Sequence, residues 1–269
     1  MSALIGLYQK YCPYKIKDNI QLLDFDIDIE TLRKDMFNFI ANNKYGYHAT
    51  SLRIPLNKTD YIDSNEILEA TGVQSYIHTA NSNKIDALNN TPNDQYINWH
   101  HDLENSYVTE LVPQLEALCG FSIGRIRLGW LMPDSGYSMH LDFEPMRLHI
   151  PLITNDCAYL IHENKIYNMK YGKLYHLITT GIHTAWNFGK LPRLHLIFST
   201  YGDDELNTQI NKLGDIEFLQ KNYLDHISAG IDDITLSFLL KLANPNEKLK
   251  TIQDLQQIKN LLLKKNIDF

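Results

Sequence analysis

The chain runs to 269 residues, 44% hydrophobic and 21% charged, a balance that excludes collagen-like and disordered classes and suffices for one large core or one core plus an appendage. Its formal net charge of −7 argues against a general phosphate-binding surface, because nucleic-acid binders concentrate Lys and Arg into a basic patch. Cys12, Cys119 and Cys157 lie far apart in no paired or metal-type spacing, which points to free thiols in a reducing cytoplasm. No apolar run reaches the roughly 20 residues that a bilayer span needs, so neither a membrane nor a nucleic-acid partner is expected.

Taken in order, residues 1–19 are rich in Tyr and Lys with little periodicity and read as an arm on the surface. Ile20 to Phe25 reads as a short strand. From Asp28 to Ile40, Ile29, Leu32, Met36, Phe39 and Ile40 fall on one helical face, the pattern of a covering helix. Ser51 to Leu56 reads as one strand, and residues 57–100 as a polar, Asn-rich insertion. A surface loop is the plain expectation for it and a lid over a site the sharper one. His100-His101-Asp102 carries a His-x-Asp spacing, yet it stands before a helix start with Asp102 or Asn105 as cap, which makes it structural. Tyr107 to Leu118 places Val108, Leu111, Leu115 and Leu118 at helical spacing, with Pro113 expected in the first turn.

Strands then dominate. In residues 123–132, Arg125, Arg127 and Gly129 alternate with Ile126, Leu128 and Trp130. Downstream, Arg147, His149 and Pro151 alternate with Leu148, Ile150 and Leu152, and Arg193 and His195 with Leu194, Leu196 and Phe198. Period-two alternation sends each set to one face of a sheet. The basic rows of the latter two strands are expected to point into a barrel interior that binds a dianion. Residues 159–162 and 165–168 read as a hairpin with His162 at an edge, and His176 as a packing or hydrogen-bonding residue. Many short strands punctuated by turns predict a mainly β chain, a double-sheet antiparallel jelly roll. After residue 202 the pattern turns helical, with stripes at Ile216, Leu219, Tyr223 and Ile227 and again at Leu255, Ile258, Leu261 and Leu262. The expected division is a jelly-roll domain over 1–202 and a helical subdomain over 203–269.

The chemistry is carried by His140-Leu141-Asp142, just ahead of the strand that begins near Arg147. One more imidazole would complete a 2-His-1-carboxylate site, which holds one face of Fe(II) and leaves the other open. His162, His176, His183 and His195 are the candidates. His183 is followed by a Gly/Lys/Pro turn and then by Arg193 at the start of the next strand. A guanidinium there can form a paired, charge-assisted contact with the far carboxylate of a dicarboxylic co-substrate such as 2-oxoglutarate. That favours His183, with Trp186 and Asn187 fixing its surroundings.

The segments GRIRLGWLMPDSGYSMHLDFEPMRLHIPLI and GIHTAWNFGKLPRLHLIF resemble the aspartyl/asparaginyl β-hydroxylase-like branch of Fe(II)/2-oxoglutarate oxygenases, which includes free-proline hydroxylases. The likeness lies in motif order over residues 20–202. It implies a double-stranded β-helix fold, iron held by His140, Asp142 and His183, and 2-oxoglutarate anchored by Arg193 with His149 as a second contact. It also implies that Arg147 touches substrate or co-substrate. Asp142 keeps the carboxylate ligand that some members lack, which fits the amino-acid hydroxylases and argues against a halogenase. The expected activity is hydroxylation by O2 of an aliphatic C–H in an amino acid, free or within a peptide, with Arg147 or Arg127 holding a carboxylate. The alternative from another class is a non-catalytic jelly roll that uses the same residues for a structural metal or a small anion.

Overall fold

The computed structural model describes residues 3–43, 49–51, 53–55, 94, 96–99, 101–131, 135–136, 144–162, 165–181, 183–187 and 189–213. Twelve strands are formed among them: β1 (Ile20–Leu22), β2 (Ala49–Ser51), β3 (Arg53–Pro55), β4 (Tyr96–Trp99), β5 (Ser122–Leu131), β6 (Ser135–Gly136), β7 (Arg147–Ile153), β8 (Ala158–His162), β9 (Lys165–Tyr167), β10 (Tyr175–Leu177), β11 (His183–Asn187) and β12 (Arg193–Tyr201). The described helices are α1 (Ala3–Tyr8), α2 (Ile29–Asn43), α3 (Tyr107–Cys119) and α4 (Asp204–Leu213), with a short 3-10 turn over His101–Leu103.

Two sheets carry the fold. One runs β1-β10-β7-β12-β5-β2 and the other β6-β11-β8-β9, with β3 and β4 paired on their own. From β5 onward the chain alternates between them: β5, β7, β10 and β12 go to the larger sheet while β6, β8, β9 and β11 go to the smaller. Every pairing is antiparallel. Antiparallel sheets wound in this crossing order are a double-stranded β-helix, the jelly-roll architecture that the strand pattern predicts.

Alternation decides what each face buries. Ile126 and Leu128 of β5, Leu148, Ile150 and Leu152 of β7, and Leu194, Leu196 and Phe198 of β12 form one core with Leu32, Met36 and Phe39 of α2 and Val108, Leu111 and Leu115 of α3. The helices therefore cover the outer face of the larger sheet. A second, smaller apolar cluster joins Leu131, Tyr175 and Leu177 of that sheet to Leu160 and Ala185 of the other. It lies between the sheets and marks the inner face, to which Arg147, His149, Arg193 and His195 belong by parity.

Several expectations are corrected. The surface arm expected over 1–19 is not found among its described residues, 3–19. Ile5, Leu7, Tyr8, Cys12 and Ile16 are buried in the large core, and the Tyr8 hydroxyl shares a 3.0 Å hydrogen bond with Thr180 Oγ1. The strand expected over 51–56 is two strands in different sheets, β2 beside β5 and β3 beside β4. Pro113 sits well inside α3, past its first turn. Interior proline costs about 3 kcal/mol, and five buried residues of that helix, Val108, Leu111, Val112, Leu115 and Cys119, offset it by packing. The N-cap of α3 is Ser106, and neither Asp102 nor Asn105. The 57–100 insertion falls outside the described residues except for residue 94 and β4, and so do the helices expected beyond residue 213.

Helix α3 ends on Gly120, left-handed at φ 77, whose N–H caps the carbonyl of Glu116. A Cβ there would stand 2.2 Å from the Tyr11 carbonyl oxygen, a backbone atom that has no room to yield. Gly120→Ala is expected to cost at least about 1 to 2 kcal/mol, read as a lower urea midpoint. Gly6→Ala in α1 meets nothing within 4 Å and is expected to be neutral or to stabilise by up to about 1 kcal/mol in the same assay.

Candidate functional site

The inner rows of β7 and β12 bring two histidines together. Their strands pair with His149 opposite Ile197 and His195 opposite Pro151, so the two rings meet on the diagonal. They lie edge to face, with centroids 5.6 Å apart and planes at 82°. The contact runs from Nδ1 to Nδ1 at 3.3 Å. Both residues are buried, 4% and 2% exposed, and the Nε2 atom of each has no hydrogen-bond partner. Burial drives both imidazoles to the neutral form. For His149 the guanidiniums of Arg193, Arg147 and Arg127 and the ring of His183 add to it, and for His195, Arg193 and His149 do the same.

Those causes also say what surrounds His149. Arg193 opens β12 and is only 3% exposed. Arg147 opens β7, with its Nε held by the carboxylate of Glu144. Arg127 lies on β5 opposite Ile197. Ser199, the next inward residue of β12, buries a hydroxyl that has no partner. Arg125 is turned elsewhere, with its guanidinium 5.7 Å from the centre of the Tyr96 ring. The compartment is thus cationic and partly or fully buried, an arrangement that is stable only with anions in or around it.

Across the interior stands His183. It opens β11 rather than closing a strand, and it pairs in register with His162 of β8. The rings stack with centroids 6.1 Å apart and planes at 7°. Their hydrogen bonds separate the roles. His162 donates from Nε2 to the Ile178 carbonyl at 2.9 Å and accepts at Nδ1 from Asn19 Nδ2 at 3.3 Å, so both nitrogens are used. It is buried in the middle of the smaller sheet, not at the edge expected of it. A Cβ on Gly181 would stand 2.3 Å from the His162 ring, so only glycine leaves that ring its place. His183 donates from Nδ1 to the Gly181 carbonyl at 2.9 Å, which leaves its buried Nε2 with the lone pair. A metal-ligating histidine characteristically donates its other ring N–H to a carbonyl in this way, which fixes the tautomer and the ring's orientation.

Asn187, at the far end of β11, holds the approach to Arg193. Its amide donates to the carbonyls of Leu131 and Leu191, at 3.0 and 2.8 Å, and its Oδ1 accepts from Gly189 N and from Asn155 Nδ2. This network ties the end of β5 to the turn by which the chain crosses from the smaller sheet to the larger. His176 is spent on structure: Nε2 donates to the Asp18 carbonyl at 2.8 Å, and Nδ1 accepts from the Tyr14 hydroxyl at 2.7 Å.

Of the residues singled out in the sequence, Arg127, Arg147, His149, His183 and Arg193 come together around His149. His140 and Asp142 lie outside the described residues. Among the described residues no three His, Cys, Asp or Glu side chains gather as a metal site. One contributor escaped the sequence reading: Glu144 stands three residues before Arg147 and orients it. His195 repeats on β12 the Arg-x-His of β7 and lies in the inward row expected of it.

Residues 93–202 match the family model described as Aspartyl/Asparaginyl beta-hydroxylase, a span that contains Arg127, Arg147, His149, His183, Arg193 and His195. No curated protein matches the chain. Similar solved structures include an oxidoreductase of the 2OG-Fe(II) oxygenase family from Burkholderia pseudomallei, with a TM-score of 0.42 and 12% identity, covering 74% of this chain and 90% of that one. A prolyl hydroxylase from Trichoplax adhaerens, in complex with a hypoxia inducible factor oxygen degradation domain peptide fragment, gives 0.38 and 11% over 77% and 93%. A cupin domain from Bordetella pertussis gives 0.26 and 11% over 29% and 81%. Likenesses this distant carry nothing about chemistry, and the fold rests on the chain's own strand order.

The buried His176 makes stability pH-dependent in a definite sense. Its pKa is pushed down to about 4, first by burial, from the unfolded value of about 6.5. Between these values the unfolded chain binds a proton that the folded chain refuses. The stabilisation is therefore complete above about pH 6.5 and is lost as pH falls toward 4. His176→Gln should remove about one proton, roughly 1.4 kcal/mol per pH unit, from the slope of unfolding free energy against pH in that window. Urea melts of the two proteins at a series of pH values measure it.

Proposed function

We propose that the chain is an Fe(II)/2-oxoglutarate-dependent hydroxylase acting on an aliphatic C–H of an amino acid, free or within a peptide. The observation that carries this reading is the cationic compartment inside the double-stranded β-helix, with Arg193 buried beside two neutral imidazoles and His183, its Nδ1 tied to the Gly181 carbonyl, across from them. The family match over residues 93–202 supports it.

In this reading His183, through Nε2, would hold iron together with His140 and Asp142. When bound, iron, 2-oxoglutarate and O2 would supply the oxidation: one oxygen atom enters the C–H bond as hydroxyl, and the other leaves in succinate as CO2 is released. Everything else falls to the chain's own side chains. Arg193 pairs with the distal carboxylate of 2-oxoglutarate, since a planar guanidinium donates two parallel hydrogen bonds to a carboxylate. His149 offers a second contact from Nε2. Arg147, with its Nε steadied by Glu144, and Arg127 hold a substrate carboxylate. Leu131, Leu160, Met169 and Ala185 between the sheets keep water from the reacting centre.

Adding Fe(II) and 2-oxoglutarate without oxygen should give the weak visible charge-transfer band of the chelate, and admitting O2 should yield succinate. With amino acids and short peptides as a panel, mass spectrometry should find a one-oxygen gain on one of them. A chain that binds a metal or an anion yet shows neither band nor succinate is instead a non-catalytic jelly-roll binding protein.

Arg193→Ala leaves a buried carboxylate of the co-substrate without its cation, which costs about 2 to 5 kcal/mol. The 2-oxoglutarate concentration at half-saturation should rise about thirtyfold or more. An unchanged requirement would remove Arg193 from this role.

A further inference from the structure

The Arg-x-His sequence occurs twice on adjacent strands, at Arg147 and His149 on β7 and at Arg193 and His195 on β12. Only the first histidine has a role in the reading above. The second is as deeply buried, touches the first through Nδ1 at 3.3 Å, and keeps an Nε2 with no partner. Two buried nitrogens left open within one cationic compartment are a feature that packing alone does not explain.

The contact constrains the protons. Both rings are held neutral, by burial first and then by neighbouring cations, so each carries a single N–H. A close Nδ1 to Nδ1 approach is attractive only when one nitrogen donates and the other accepts. Two arrangements satisfy this. In one, His149 donates from Nδ1 and turns the lone pair of its Nε2 toward the guanidiniums of Arg193, Arg147 and Arg127. In the other, His195 donates from Nδ1 and His149 carries its proton on Nε2.

The three guanidiniums collect an anion, and a lone pair aimed at an anion repels it. With the anion bound, the first arrangement leaves an N–H stranded at His195 Nε2, whereas the second gives the N–H on His149 Nε2 an acceptor and leaves only a lone pair at His195. Stranded buried N–H groups are the rarer of the two. Resting on the co-substrate reading above, we propose that His195 is a positioning residue that holds the proton of His149 on Nε2, making His149 a donor to the carboxylate gathered by Arg193. The second imidazole thereby sets the affinity for a dicarboxylate without carrying charge to it.

Two measurements test this. On the metal-free, 15N-labelled 269-residue chain saturated with 2-oxoglutarate, long-range 1H–15N correlations should place the proton of His149 on Nε2 and that of His195 on Nδ1. A proton on His149 Nδ1 overturns the proposal. In anaerobic titrations of the Fe(II)-loaded chain with 2-oxoglutarate, His195→Asn can still donate an amide N–H to His149, whereas His195→Phe keeps the ring's bulk and donates nothing. The dissociation constant should rise about tenfold for His195→Phe, the loss of one buried hydrogen bond, and stay within about threefold of the parent for His195→Asn. A packing role predicts the reverse, because phenylalanine fills the space better. Phenylalanine binding as well as or better than asparagine, equal losses included, overturns the proposal. If the parent chain itself binds no 2-oxoglutarate, the co-substrate reading falls and this proposal with it; if it binds and the proton sits on His149 Nδ1, only the role of His195 falls.

Discussion

One constraint shapes the molecule: a strand has two faces, and along β7 and β12 they carry incompatible chemistries. Leu148, Ile150 and Leu152 alternate with Arg147, His149 and Pro151, and Leu194, Leu196 and Phe198 with Arg193, His195, Ile197 and Ser199, Ile197 being the apolar member of that inward row. A one-residue slip in the pairing of either strand would drive guanidiniums into the helix-covered core and leucines into the interior. Register is therefore enforced from both sides at once. The helices α2 and α3 lie on the outer face because that face alone offers them an apolar surface. The smaller sheet then closes over the polar one and makes it a compartment rather than a wet surface.

That closure changes the chemistry of every group inside. On an exposed strand Arg193 would be a solvated cation, and His149 and His195 ordinary histidines that titrate near neutrality. Buried together, the guanidiniums keep their charge and the imidazoles give theirs up, so charge and hydrogen-bonding capacity are divided between two residue types. On the facing sheet the same burial is handled by full satisfaction. His162 spends both nitrogens on Ile178 and Asn19, while its stacked neighbour His183 ties Nδ1 to the Gly181 carbonyl. Hydrogen bonding thus tells a structural histidine from a ligand candidate where sequence spacing does not.

The sequence showed the architecture and most of this row because both are written in period-two alternation, a strong local signal. The helix α2, the strands β5, β7 and β12 and the inward Arg and His residues were all legible in that way. What it hid depends on partners far along the chain. The burial of Tyr8 and its apolar neighbours in the first nineteen residues goes with Tyr8 meeting Thr180 and Tyr14 meeting His176, contacts that no periodicity announces. Pro113 is held inside α3 by tertiary packing, against its local propensity. The segment over 51–56 divides because its two halves find different partner strands. His162 reads as an edge residue in a hairpin until a third strand, β11, is seen to pair on its other side.

The division of labour between guanidinium and imidazole bears on turnover as well as binding. In the proposed reaction a dicarboxylate enters and a dicarboxylate, one carbon shorter, must leave from the same anchor. Were His149 and His195 cations, the compartment would hold both with nearly equal strength, since buried charge attraction is large and little sensitive to length. Neutral donors act differently. A hydrogen bond from Nε2 of His149 depends on distance and angle, so it would favour the longer dianion that fills the space and weaken for the shorter one. Keeping the imidazoles neutral would then leave Arg193 to supply the attraction common to both acids, and the paired histidines to supply the difference between them.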